Sequence, residues 1–346
     1  MTSARADAQW TPKDFLAAST WPDLGRVAVL MGGFSAERSV SLKSGRAVSH
    51  ALNAAGVTAE AVDVTQVQQL LDLPSQFDRA FIALHGRWGE DGGVQAVLDA
   101  LDMPYCGSQM PASALAMDKI RTKYVWQAQG LPTPAFSQGA PSQALAQSWV
   151  SSSALSFPMI VKPSHEGSSI GMQKVNTPDA LYQAWSQAQA LDSEVLVEQW
   201  VTGREMTATV VNHTVLPLIE LQTDHAFYDF SAKYESSATQ YLCPVAIDSA
   251  LQRQIEALVL DAFDAVGARH WGRVDLIIDA DQQPWLIEIN TAPGMTDHSL
   301  VPMAAKQAGL SFPQLVRYLM TLTLATEATS GLAGSTGSGA HQSASS

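Results

Sequence analysis

Apolar runs and helix-spaced stretches alternate along the first third of the chain. "RVAVLM" is a continuous run of strand length, "SVSLKSGRAVSHALNAAG" repeats apolar residues at helical spacing up to Gly56, and "AEAVDV" and "RAFIALHG" are two further strands. The glycine-rich "RWGEDGG" leads into the helix "VQAVLDAL". This alternation predicts a parallel sheet with helices on its faces. Further on, "ASALAMDKIRTKYVWQAQG" reads as one helix, and "FPMIVKP" and "MQKV" as strands flanking the Gly/Ser loop "SHEGSSIG". "EVLVEQWVTGREM" reads as a buried strand with Glu198 and Glu205 bracketing a turn. "FYDFSAKYESSATQYLCP" breaks the periodicity and reads as a long loop, of the kind that serves as a lid or binding element. The helix "ALQRQIEALVLDAFDAVG" follows, and "SLVPMAAKQAGLSFPQLVRYLMTLTL" closes the fold.

Between them lies "GRVDLIIDADQQPWLIEIN", two apolar strands around a turn-rich centre. Pairing Ile278 with Trp285 sets Asp275 opposite Glu288. Alternation then puts Arg273, Asp275, Glu288 and Asn290 on one face, and Val274, Leu276, Ile287 and Ile289 on the core face. Directly opposed carboxylates sit about 4.5–5.5 Å apart and repel, so something positive belongs between them. An ion pair with Arg273 would serve one carboxylate. Two carboxylates and an amide, all hard oxygen donors, favour a divalent cation such as Mg²⁺.

Composition narrows the function classes. With 46% hydrophobic residues in 346, the chain is globular and long enough for two or three domains. Its 33 acidic against 20 basic residues give a net charge of −13, which repels nucleic acid and anionic lipid. Cys106 and Cys243 are too few for a disulfide framework and lie in no metal-ligand spacing. No stretch has signal-peptide or membrane-span character, so a cytoplasmic protein with reduced thiols, without membrane or nucleic-acid partners, is expected. Residues 1–23 read as an N-terminal extension, and the Gly/Ser-rich residues 326–346 as a disordered tail.

Two loops invite nucleotide readings. "GGFSAE" lacks the G-x-G-x-x-G spacing of a dinucleotide fingerprint; Glu37 there could hold an ammonium group, although a lone surface Glu is more often a helix-start charge. "KPSHEGSSIG", with Lys162 at its root, is not a Walker loop, yet its amides and hydroxyls could close over phosphates; an ordinary hairpin loop would look the same.

In order, "GGFSAERSVSL", "HGRWGEDG", "MDKIRTK", "IVKPSHEGSSIGM", "SAKYES", "HWGRVDL" and "EINTAPGMTDHSLVP" resemble the D-alanine–D-alanine ligases, over about residues 24–325. The resemblance implies an α/β (α+β) three-domain ATP-grasp fold. Its parts would be an N-terminal parallel-sheet domain at 24–118, a central ATP-grasp subdomain at 119–205, and a C-terminal subdomain with the metal and substrate site at 206–325. It also implies ATP-dependent joining of two D-alanines through a D-alanyl phosphate for peptidoglycan, two Mg²⁺ or Mn²⁺ ions per subunit, and a homodimer. A relative making D-alanyl-D-lactate is the nearest alternative, and Tyr234 argues against it.

By the same resemblance Asp275, Glu288 and Asn290 are metal ligands, and Arg273 with the Gly294 amide holds the first D-alanine's carboxylate and its acyl phosphate. This makes a plain Arg273–Asp275 ion pair unexpected. Lys119 and Lys162 correspond to phosphate contacts, Glu198, Gln199 and Val201 to the adenine-reading segment, and Glu205 to the ribose ligand. Glu37 corresponds to the ammonium ligand, linked to Ser168 and Tyr234, while Lys233 and Ser299 correspond to contacts of the second carboxylate, with His85 near the first substrate. Phe34, Trp88, Gln199 and Ala292 depart from the family's usual residues.

Overall fold

The computed structural model describes residues 21–138, 155–222, 239–296 and 299–334. Its described strands form three sheets. The first carries β1 (Arg26–Gly32), β2 (Thr58–Val64), β3 (Arg79–Ile82) and β4 (Tyr105–Cys106) in the order β2-β1-β3-β4, all parallel. Helices α1 (Arg38–Ala54) and α2 (Gly93–Ala100) connect them, as the alternation predicts. Strand β1 is buried along nearly its whole length, which is why it reads as an unbroken apolar run.

The predicted helix "ASALAMDKIRTKYVWQAQG" is two helices, α3 (Met110–Met117) and α4 (Lys119–Ala128). They part at Asp118, whose backbone is extended and whose carboxylate accepts the Arg121 N–H as an N-cap. The second sheet has the order β5-β8-β6-β7, from β5 (Phe136–Gln138), β6 (Met159–Pro163), β7 (Gln173–Val175) and β8 (Val195–Gln199), and α5 (Pro178–Leu191) packs on it. "SHEGSSIG" joins the antiparallel pair β6 and β7, as expected.

"EVLVEQWVTGREM" divides between sheets. Its first half is β8, and its second half opens β9 (Gly203–Val211), which belongs to the third sheet. The turn expected between Glu198 and Glu205 falls at this break, where residues 199–205 are half-buried or exposed, but nothing in the pattern tells that the strands on its two sides join different sheets. The third sheet has β9 against β13 (Trp271–Asp279), with β10 (Thr214–Val215), β11 (Ile219–Gln222), β12 (Gln240–Leu242) and β14 (Pro284–Asn290) completing it. Strand β12 lies within the stretch read as a long loop; residues 227–238 of that stretch fall outside the described residues.

Helix α6 (Ser249–Ala265) buries Ile255, Val259, Ala262 and Phe263 against β9, β13 and β14. A second core joins the first sheet to the third through Trp271, whose ring lies 5.9 Å from Phe81. Helices α7 (Leu300–Gln307) and α8 (Phe312–Gly334) complete that core. Helix α8 continues past residue 326, where a disordered tail was expected, to Gly334. Trp21, at the end of the expected N-terminal extension, packs against the same core, 5.4 Å from the Arg317 guanidinium. Among the described residues no helix is long and apolar enough to cross a membrane.

Candidate active site

The hairpin of β13 and β14 sets Asp275 opposite Glu288, as the alternation predicts. The turn end differs: Ile278 pairs with Pro284 and Trp285 with Ile277, and a β-bulge between Asp275 and Leu276 restores the expected register. The extra residue is Ile287. It lines a pocket, whereas Val274, Leu276 and Ile289 are buried in the core as expected.

Two pockets meet at Glu288 and Leu300, which line both. The larger, about 580 Å³, is lined by Glu37, His85, Lys119, Ser168, Arg273, Glu288, Asn290, Gly294 and Ser299, from all three parts of the fold. The smaller, about 100 Å³, gathers Lys162, Glu198, Gln199, Val201, Glu205 and Asp275 among apolar walls from Ile160, Met172, Trp200, Met206 and Ile277. Lys233 and Tyr234 lie outside the described residues.

Glu37 sits at the start of α1. The loop before it is pinned to β2 by Arg38, whose two guanidinium nitrogens reach the Asp63 carboxylate at 2.8 Å each. Across the cleft the Ser168 hydroxyl donates to Glu37 Oε1 at 2.5 Å. Burial, then the nearby Glu90 carboxylate, push the Glu37 carboxyl above its usual range, against the Ser168 hydrogen bond. Gly86 has φ +66°, and a Cβ there would lie 2.4 Å from Glu37 Oε2, so a side chain would displace the carboxylate. His85 is buried with Nδ1 3.2 Å from Glu90 and Nε2 3.2 Å from the Ser44 hydroxyl. Burial disfavours its imidazolium, but the Glu90 hydrogen bond and charge outweigh this and raise its pKa.

Arg273 grips Asp275 through two hydrogen bonds of 2.8 Å each. The ion pair that the family resemblance made unexpected is therefore present. Its cause is local: the two side chains share a face two residues apart, and Asp275 is otherwise met by the Thr207 hydroxyl at 2.6 Å. Glu288 is 3.8 Å from the Lys119 ammonium, which also donates to the Glu166 carbonyl at 2.8 Å. The Asn290 amide oxygen accepts from the Ala292 N–H at 3.1 Å. Ser299 precedes α7 and its hydroxyl accepts the Thr296 N–H at 3.0 Å. A Cβ on Gly294 would lie 3.1 Å from that hydroxyl, so this backbone approaches Ser299 closely.

At the wall of the smaller pocket two lysines share one glutamate: Lys162 and Glu198 line it, and Lys123 lies buried behind them. Lys162 Nζ is 3.2 Å from Glu198 Oε1 and Lys123 Nζ is 3.0 Å from Oε2, with all three side chains buried. Burial would raise the Glu198 pKa, but the two ammonium groups hold it below the usual range. For Lys123, burial and the neighbouring Lys162 charge outweigh Glu198 and lower its pKa to about 8. The cluster as a whole is one positive charge in excess, facing a pocket with apolar walls, which suits a polyphosphate with a flat base.

Gln199 is in this pocket's lining, but its side chain turns back to the segment before β6: Oε1 accepts the Ser156 N–H at 2.9 Å and Nε2 donates to the Pro158 carbonyl at 3.1 Å. Phe34 and Trp88 stack edge to face, ring centroids 5.2 Å apart, and line neither pocket. Ala292 is buried and contributes its N–H to Asn290.

Sequence reasoning missed Lys123, Glu90, Thr207 and Tyr241. Lys123 and Glu90 fall inside the quoted "MDKIRTK" and "HGRWGEDG", so those motifs were the available signal. Thr207 reads as an ordinary strand residue, and Tyr241, in the larger pocket's lining, fell within the presumed loop.

A family model described as "D-ala D-ala ligase C-terminus" matches residues 125–321, and one described as "D-ala D-ala ligase N-terminus" matches residues 61–108. A D-alanine–D-alanine ligase of Hydrogenovibrio crunogenus is 64% identical over 301 residues, covering 87% of this chain and 95% of its own. One from Pseudomonas putida is 53% identical over 302 residues, 87% of this chain and 94% of its own. The crystal structure of a D-alanine–D-alanine ligase from Bacillus anthracis superposes with a TM-score of 0.79 at 30% identity, covering 88% of this chain and 99% of that one. A second, titled as complexed with ATP, gives 0.76 at 27% identity, covering 89% and 100%.

Proposed function

Because the chain belongs to the D-alanine–D-alanine ligase family, with the three-domain ATP-grasp fold of its solved relatives, we propose that it joins two D-alanines at the cost of one ATP, releasing ADP and phosphate. The product, D-alanyl-D-alanine, serves peptidoglycan synthesis in the cytoplasm. The observation that carries the reading is the 2.5 Å Ser168–Glu37 hydrogen bond, which closes the Gly/Ser loop against the parallel-sheet domain in the cleft that also holds Arg273, Glu288 and Asn290.

A carboxylate is a poor electrophile, so the first D-alanine takes the γ-phosphoryl group of ATP to become an acyl phosphate. Phosphoryl transfer of this kind is mostly positioning and charge neutralisation. Lys119 and Lys162 take the phosphates, with Lys123 supporting Lys162 through Glu198. The adenine lies between the apolar walls of the smaller pocket beside Glu198 and Val201, with Glu205 on the ribose. Glu37 receives the first ammonium group, whose charge offsets the burial that raises the carboxyl pKa. Arg273 and the Gly294 amide hold the reacting carboxylate, then the oxyanion formed when the second D-alanine's amine attacks.

Asp275, Glu288 and Asn290 fit a hard divalent cation: they supply carboxylate and amide oxygens from one face of a hairpin, at the junction of the two pockets. When bound, Mg²⁺ or Mn²⁺ there, two ions per subunit, neutralises phosphate charge. Arg273 must loosen its hold on Asp275 to reach the substrate. Ser299 and Lys233, the latter outside the described residues, receive the second carboxylate, while Tyr234, also outside them, is the partner of Ser168 and Glu37 in this reading. Water must be kept from the acyl phosphate until the amine attacks, a task this reading gives to the "EGSSIG" loop and to "YDFSAKYES", which lies outside the described residues.

The domain divisions at 118/119 and 205/206 belong to the same proposal, the second falling three residues inside the third sheet, since β9 starts at Gly203. A homodimer through the parallel-sheet domain also belongs to it, tested by light scattering. The decisive experiment is product analysis with ATP, Mg²⁺ and D-alanine, alone and with D-lactate. Stoichiometric ADP, phosphate and D-alanyl-D-alanine are expected; depsipeptide as the main product, or ADP without dipeptide, would overturn the assignment.

A further inference from the structure

The root of the Gly/Ser loop is held by a charge cluster that the reaction does not use. His165 follows Ser164 at the end of β6, three residues before Ser168. Its ring is clasped from two sides. Nδ1 is 2.9 Å from Asp192 Oδ2, the oxygen that also accepts the His165 backbone N–H at 2.7 Å. Nε2 is 3.3 Å from Asp118 Oδ2 and 3.8 Å from Glu194 Oε2. Asp192 and Glu194 lie between α5 and β8, and Asp118 is the N-cap of α4, next to Lys119.

Asp118, His165 and Glu194 are close enough together to suggest a metal site. A cation already fills that role: Arg121 reaches both Asp118 and Glu194, the latter at 2.6 Å. The groups facing the imidazole are therefore Asp118 and Arg121 from α4, and Asp192 and Glu194 from the turn before β8. With three carboxylates against one guanidinium, the charge balance calls for a second cation.

We infer that His165 is a positioning residue for ATP: its imidazolium ties the root of the Gly/Ser loop to the start of α4, holding Ser168 and the Lys119 ammonium in place on opposite sides of the phosphates. The links are short. Ser164 donates to Asp118 Oδ1 at 3.1 Å, and Lys119 donates to the carbonyl of Glu166, the residue after His165. Three consecutive loop residues thus contact the first turn of α4 or its cap. Donation by the ring to the Asp118 carboxylate, then to that of Asp192, raises the imidazole pKa against burial. The brace is accordingly complete below that raised pKa and weakens as pH rises through it.

This inference rests on the roles given above to Lys119 and Ser168. The test measures kcat and KM for ATP, and ADP formed per dipeptide, across a pH series from the acid to the alkaline side of neutrality, in the wild type, His165→Gln and His165→Arg. His165→Gln should raise KM for ATP several-fold at the acid end, with more ATP hydrolysed per dipeptide. His165→Arg, a cation at every pH, should match the wild type at the acid end and exceed it at the alkaline end, where the wild type declines. If His165→Gln fails to fold, the pH dependence of the Arg variant relative to wild type still decides. Identical profiles for Arg and wild type, or an Arg variant as impaired as Gln, would overturn the proposal. Ser168→Ala separates the two levels: if it is impaired while both His165 variants match wild type, the brace alone fails. If Ser168→Ala is fully active, the loop's assigned role fails and takes this inference with it.

Discussion

The two pockets that meet at Glu288 hold their charges in different ways. At the smaller one, Lys162 and Glu198 in the wall and Lys123 behind them are buried and paired through Glu198, and binding ATP asks none of them to let go. In the larger one, Arg273 is on Asp275, Lys119 on Glu288 and the Glu166 carbonyl, and Ser168 on Glu37. Each of these groups has to share or exchange its partner as substrates arrive. The lesson is that the same kinds of contact serve two ends. A fully buried, permanent cluster contributes to folding and sets the nucleotide's place, whereas partly buried, exchangeable pairs keep reactive groups oriented at little cost to stability.

Substitutions should therefore separate activity from stability according to the pocket they fall in. The largest effect on turnover is expected from Glu288→Gln, which keeps the shape but removes a charge at the junction. Losing one preorganised electrostatic group typically costs about 10²–10³ in kcat, and because Glu288 is only partly buried, the melting temperature should hold. Steady-state kinetics with a thermal melt check both. A fall in melting temperature as large as that of a buried-cluster variant would erase the distinction.

Glu198→Gln is the converse case. It strands two buried lysines, and breaking a buried ion pair by removing one partner costs about 3–5 kcal/mol. The loss should be moderated where Lys123 can give up its proton, since its pKa is already lowered to about 8. Urea unfolding without nucleotide, at pH 7 and pH 9 (about one unit either side of that pKa), should show the larger deficit at the lower pH.

That expectation exposes what was legible in the sequence. Asp275 and Glu288 could be found because a strand's period is two and a carboxylate among apolar neighbours stands out. Lys123 could not, because a lysine in a helix normally reads as a solvent-facing residue, and only the packing of α4 on Thr133 and Glu198 buries it. The bulge at Ile287 and the passage of 194–206 from one sheet to another were equally hidden. Both depend on which strands come to lie alongside, not on local pattern. The helix break was partly visible, since Asp118 is a good N-cap residue, but the apolar spacing on either side continues through it.

A smaller effect is expected from Lys123→Met, which removes the burdened cation and leaves Glu198 with Lys162. KM for ATP should rise several-fold with kcat little changed. A lysine whose folded pKa is about 8, against 10.5 unfolded, binds fewer protons folded than unfolded between those values, so it makes stability rise with pH there. Wild-type stability minus that of Lys123→Met should accordingly increase from pH 8 to 10.5. A flat difference would place Lys123 outside the buried pairing.

Thr207→Val should give the smallest change. It deletes the 2.6 Å hydrogen bond to Asp275 while keeping the strand's shape. A net contribution of roughly 0.5–1.5 kcal/mol predicts a several-fold loss of turnover, best seen as a weaker apparent affinity for Mg²⁺. An unchanged metal dependence would mean that Arg273 alone orients Asp275.

The central claim is that the first D-alanine's carboxylate is phosphorylated in the larger pocket before the second amine attacks. Running the reaction with D-alanine labelled with ¹⁸O in its carboxylate, and analysing the released phosphate by mass spectrometry, tests it most directly. Transfer of one carboxylate oxygen to phosphate for each dipeptide formed is the predicted result. Dipeptide accompanied by unlabelled phosphate would contradict it.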